Sequence, residues 1–151
     1  MSTKAHQLHT ADQTLSNDEG RFDAYRPAPG VLITEVVGYL AHEFALALIT
    51  HLDAIRASGQ RALQFHDWFA VTGYDIRAQR DLTAWHAKHR VDVEGLEIGV
   101  RSAMLRMGVT VANVPLRGLI KLHEDELAFS SAARNGILSR RVRAPHASGS
   151  L

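Results

Sequence analysis

Between residues 21 and 138 the hydrophobic repeat of this chain keeps switching between the two-residue period of a strand and the 3.6-residue period of a helix. Arg21 to Arg26 reads as a short edge strand, and Pro27, Pro29 and Gly30 as the turn after it. Residues 31–40 are rich in β-branched side chains and read as a strand. Residues 41–57 place Ala41, Ala45, Leu48, Leu52 and Ile55 on one helical face, stopped by Ser58 and Gly59. The period then predicts a strand over 62–68, a loop over 69–74, and a helix capped by Asp75 with Ala78, Leu82, Trp85 and His89 on one stripe. A strand over 93–100, a helix from Ser102 ended by Pro115 and a strand over 118–122 follow. Glu124, Asp125 and Glu126 suit the positive start of a last helix, and Asn135-Gly136 reads as its stop. The order is β-β-α-β-α-β-α-β-α. Strands separated by helices imply a mixed, mostly parallel sheet with right-handed crossovers and about four helices.

This is one α/β domain spanning 21–138. Residues 1–20 are polar and without period, and read as a flexible tail. The basic ending 139–151, with Arg140, Arg141 and Arg143, reads as a second tail. A chain of 151 residues buries enough surface to need no cross-link. It has no cysteine, which excludes disulfides, thiolate metal sites and cysteine nucleophiles. The net charge of +1 provides no field for nucleic acid. The longest apolar stretch, Phe44 to Ile49, is far too short to span a bilayer, and the N-terminus lacks a secretory apolar core. A cytoplasmic protein without membrane insertion is expected.

The loop expected at 69–74 holds the most chemistry. A strand-to-helix loop exposes free backbone N–H groups at the helix start. Gly73 lets the backbone turn tightly or approach a bound group. A phosphate on Thr72 would add roughly −2 charge beside those donors, within reach of Arg77 and Arg80. The bland alternative is a turn shaped by Thr72 and Gly73, with Asp75 only capping a helix. Trp68, Phe69 and Tyr74 crowd one end of the sheet, as rim packing or as an exposed aromatic patch.

Other candidates are weaker. His86 and His89 are spaced for a metal pair, but no third ligand is fixed and a solvated pair is the simpler reading, so no metal or cofactor is expected. His66 and Asp67 are strand neighbours and point to opposite faces, so they do not easily form a local dyad, and His66 as a base would need a distant carboxylate. Met104, Leu105 and Met107 read as core or its edge. Arg101, Arg106 and Arg117 read as solvated charges or as one wall of an anion site. No Walker loop, G-x-G-x-x-G, H-E-x-x-H or G-x-S-x-G occurs.

The element order over about 21–136 resembles the STAS domain of sulfate transporters and anti-sigma factor antagonists. The segment F-H-D-W-F-A-V-T-G-Y-D, Phe65 to Asp75, is similar to bacterial SpoIIAA-like proteins. That resemblance implies a non-catalytic regulatory module whose partner is a protein, an anti-sigma factor or kinase, with a homodimer also open. It places a phosphorylatable switch at Thr72, with Asp67 ending the strand, Gly73 after the hydroxyl, and Trp68, Tyr74, Asp75 and Arg77 on the contact surface. Val71 stands where the family carries an Asp. The alternative is a binder of a small anion, nucleotide or lipid beside Trp68, Tyr74, Arg77, Arg80 and Arg101.

Overall fold

The computed structural model describes residues 10–148, and side chains as far as residue 143. Six strands form a single sheet in chain order: β1 (Gln13–Ser16), β2 (Gly20–Tyr25), β3 (Val31–Leu40), β4 (Ala62–Tyr74), β5 (Val93–Val100) and β6 (Ile120–His123). The first two pairings are antiparallel and the other three parallel. The helices are α1 (His42–Ala57), α2 (Ile76–Lys88), α3 (Ala103–Asn113) and α4 (Glu126–Ser148). The mixed, mostly parallel α/β order expected from the sequence is the one observed, with one further strand at the start.

Because each parallel connection steps to the next strand in the same direction, crossovers of one hand put their helices on one face. Accordingly α1, α2 and α3 share one apolar cluster, with Phe44, Leu48, Leu52, Ala78, Trp85, Leu105 and Val109 packed on Leu32, Val36, Trp68, Leu96 and Ile98. After β6 the chain returns over the opposite face. There Phe129, Ala133 and Ile137 of α4 pack on Val31, Ile33, Phe65 and Phe69.

Three expectations are corrected. The tail expected over 1–20 contains β1, while residues 1–9 lie outside the described ones. Only Leu15 of this edge strand enters the core, so no period betrays it. It is held by Thr14 Oγ1 donating to Asp23 Oδ1 at 2.6 Å, and by Asn17 Oδ1 accepting from the backbone N–H of Glu19 and Gly20 in the connecting turn.

The stop at Asn135-Gly136 does not occur, and α4 runs on through what was expected as a basic tail. Gly136 serves close packing instead: a Cβ there would lie 2.7 Å from the Phe65 ring. One turn later Arg140 is 6% exposed and donates to the carbonyls of Pro29 and Arg61 and to Glu94, each at 2.9 Å. Arg141 reaches the Pro27 carbonyl, and Arg143 lies 3.7 Å from Glu94. The arginines are therefore anchors that tie α4 to the β2–β3 turn and to β5. Residues 149–151 lie outside the described ones.

The third correction concerns the loop at 69–74, which is the far end of β4 and bears directly on the candidate site.

Candidate functional site

Strand β4 has thirteen residues and outruns its neighbour β5, whose pairing with it ends at Trp68–Val100. Beyond that point β4 is paired only to β3, and two irregularities re-aim its side chains. Glu35 pairs with Asp67 and Val37 with Ala70, so Trp68 and Phe69 together oppose Val36. Trp68 thereby turns under α1–α3 while Phe69 turns under α4. Gly38 then pairs with Val71 and Tyr39 with Gly73, which leaves Thr72 unpaired and exposed.

On the α1–α3 side this geometry builds a chain of buried polar groups. Trp68 Nε1 donates to Thr34 Oγ1 (3.2 Å), and the Thr34 hydroxyl donates to His66 Nδ1 (2.6 Å). His66 Nε2 donates to Gln64 Oε1 (2.8 Å), and Gln64 Nε2 donates to His86 Nε2 (2.9 Å). His86 Nδ1 donates to the Leu82 carbonyl (2.7 Å). Each donor finds one acceptor, which fixes both histidines as neutral tautomers. Burial pushes His66 down to about 3, helped by His86, and pushes His86 down to about 4. A base this weak, held by a threonine and an amide with no carboxylate partner, is poorly suited to proton abstraction. The nitrogens of His86 are both used, and among the described residues no His, Asp and Glu group is arranged to hold a metal.

Above this chain, between the sheet and the α2–α3 pair, lies a cavity of about 60 Å³. That is several times the roughly 10–15 Å³ a single water needs. Leu48, Leu82, Leu96, Ile98, Val109 and Ala112 form its apolar wall. His66, Trp68, Tyr74, Gln79, Thr83 and His86 also face it, and among the described residues no Lys, Arg, Asp or Glu does. Gln79 Nε2 donates to the Gly108 carbonyl (2.8 Å) and ties α2 to α3.

At the start of α2 the Asp75 carboxylate accepts from the Arg77 backbone N–H (2.8 Å) and from the Arg77 guanidinium (2.8 Å). These hydrogen bonds hold the Asp75 carboxyl down to about 2. The N-terminus of α2 thus carries its own anion, and Arg77 is already engaged.

The structure separates residues that the sequence reading grouped. Asp67 and Trp68 are buried, so neither lies on a docking loop. Asp67 stands in register with Glu35 and Asp23 across β2–β4. Trp68 and half-buried Tyr74 face the cavity, whereas Arg77, Arg80 and Arg101 do not. Arg101 pairs with Glu126 (2.6 Å) and Arg106 with Glu124. Met104 and Met107, expected at the core or its edge, are 61% and 70% exposed. Thr34 and Gln64 were not singled out in the sequence. The available signal was polar residues at alternate positions of strands that had to be buried on both faces.

No family model matches the sequence, and no curated protein matches it. Among solved structures, a DUF3478-family protein with a SpoIIAA-like fold from Shewanella loihica PV-4 superposes with a TM-score of 0.56. It is 19% identical, and the match covers 79% of this chain and 98% of that one. The chain has the SpoIIAA-like fold, which is the STAS fold. None of its described helices is long and apolar enough to cross a membrane.

Proposed function

We propose that the chain is a non-catalytic binding module that holds a small, mainly apolar ligand between the sheet and α2–α3. The observation that carries this reading is the cavity itself: an apolar space in a well-packed domain, roofed by two helices joined through Gln79 and Gly108. Native interiors leave few voids, because each costs the contacts that would have filled it. The buried polar chain on the cavity floor is satisfied internally, so its donors and acceptors are already engaged. Anions and nucleotides fit less well than an apolar molecule, since no cation among the described residues faces the space and Arg77 and Arg101 are paired elsewhere.

Xenon, which enters dry apolar cavities, tests this. Methyl resonances of Leu82, Leu105 and Val109 should shift with xenon pressure, and the shifts should vanish when Ala112→Leu fills the space. Unmoved methyl resonances in the wild-type protein would overturn the reading.

A second reading, a regulatory protein-interaction module of the kind STAS proteins form, is favoured by the outer face of α3. Met104, Met107, Val111 and Val114 make an exposed stripe at 3-4-3 spacing. Thr72, exposed in an unpaired bulge, would be the point at which a phosphate changes partner binding. Thr72→Glu should then alter capture of the partners the wild type retains, and identical capture would count against a switch at this residue.

A further inference from the structure

We infer that the outer side of the α2–α3 seam is a docking groove for an amphipathic helix of another protein, apolar where it meets α3 and acidic where it meets α2. This rests on the second reading above and names the chemistry of its partner.

The shape follows from helical geometry. Residues four apart on a helix form a ridge. At the seam the ridge of α3 passes through Gly108 and Ala112, and that of α2 through Gln79 and Thr83, with Gln79 bonded to the Gly108 carbonyl. Gln79, Thr83 and Ala112 are partly exposed, so this low floor reaches the surface. An exposed ridge stands on either side of it: Ile76, Arg80, Ala84 and Lys88 on α2, and Met107 and Val111 on α3. A third helix packs ridge-into-groove on such a pair.

The α3 bank asks for apolar cover. Across Ala103–Asn113 the helix has Arg106 as its only charge, and it is apolar on both faces. A helix of that kind is normally covered on both sides. The sheet covers one. On the other, Met104, Met107, Val111 and Val114 are between 61% and 75% exposed and have the 3-4-3 spacing of a coiled-coil seam. This is the pattern that meets another helix. A helix lying on a bilayer carries aromatic and lysine side chains at its margins, and α3 has neither.

The α2 bank sets the sign of the partner. Arg77 pairs with Asp75, Asp81 with His42 and Arg106 with Glu124. Arg80 and Lys88, about two turns apart on the exposed ridge, have no ion pair among the described residues. Neither exposed ridge carries an acid. A partner helix with carboxylates along this margin meets two free cations, and one with amines meets like charge.

The test uses two peptides of three heptads, both with leucine at a and d, one with glutamate and one with lysine at e and g. Fluorescence anisotropy reads their binding to the full chain. The acidic peptide should bind about tenfold more tightly than the basic one, and the gap should narrow as salt rises. Met107→Gln should weaken both about tenfold. Arg80→Glu should bring the two peptides within about threefold of each other. Equal binding of the two peptides to the wild type would overturn the acidic partner and leave the docking face standing. Binding that Met107→Gln leaves unchanged would overturn the groove. Binding of neither peptide would overturn the reading of α3 as a protein-docking face as well. In that case, self-association of the wild type that Met107→Gln abolishes would give the face to a second copy, and binding to phosphatidylserine vesicles would give it to a membrane.

Discussion

The two faces of the sheet bury polar groups by opposite means. Under α1–α3 the polar chain from Trp68 to His86 is neutral from end to end, and the space above it is left hollow. Under α4 there is a guanidinium: Arg140 sits at the end of an aromatic and aliphatic cluster and clamps two carbonyls and Glu94. A neutral network costs little to bury but tolerates no added proton. An ion pair tolerates acid down to the carboxylate's own titration but leaves a charge stranded when either partner is lost. The neutral face is thus the one able to stay dry and open beside a ligand, and the ionic face is the one that closes the fold.

Acid should separate the two faces most strongly. Folded His66 and His86 hold values of about 3 and about 4, against 6.5 when unfolded. Their contribution is therefore complete above pH 6.5 and falls as pH drops, because only the unfolded chain takes up the protons. Each costs about 1.4 kcal/mol per pH unit in that window. His51, also lowered by burial, acts in the same direction. Glu94 is held low by Arg140 and stays charged until pH falls below the ordinary glutamate range. Urea midpoints between pH 7 and 4.5 should drop with a slope of at least two protons. His86→Leu should remove about one of them. A flat profile over this range would mean that the histidines are not held neutral.

The ionic face is tested by Arg140→Met, which keeps most of the stem but leaves the Pro29 and Arg61 carbonyls without donors. A loss of about 3 kcal/mol in chemical denaturation is expected. Glu94 is partly solvated and adds little to it. Gly136→Ala comes next. A glycine inside a helix with open space beside it could be replaced at a gain of up to about 1 kcal/mol. Here the new methyl group meets the Phe65 ring, so the variant should lose about 1–2 kcal/mol instead.

Gly136 also shows where the sequence stops being legible. The alternation of periods from Val31 onward gave the fold, because each of those elements buries a continuous apolar face. Local patterns mark what a segment does alone, and three features here depend on what lies beside it. Asn135-Gly136 has the composition of a stop, yet the ring of Phe65, some seventy residues earlier, is what requires the glycine. Thr72-Gly73 has the composition of a loop, yet pairing with Gly38 and Tyr39 continues the strand through it with one residue bulged out. Of the site, Trp68 and Tyr74 were visible as aromatics at one end of the sheet. Thr34 and Gln64 were not, since a polar residue in a strand looks solvated until its face is known to be covered. Neither was the exposure of Met104 and Met107, because helical spacing gives the face they share but not which way it points.

That outer face of α3 supplies the smallest expected effect. Leu105, Gly108 and Val109 turn inward and belong to the packed side of the helix, whereas Met107 and Val111 are 70% and 61% exposed. A side chain already in water loses little when it becomes polar, and methionine and glutamine have nearly equal helix propensity. Met107→Gln should therefore leave the unfolding free energy within about 0.5 kcal/mol of the wild type and leave the xenon response of the cavity intact. A loss of 2 kcal/mol or more would be the size seen for a buried methionine, and would mean that the stripe is covered in solution, either by another part of this chain or by a second copy. Sedimentation of the wild type over a hundredfold concentration range separates those two cases, since only a second copy makes the loss depend on concentration.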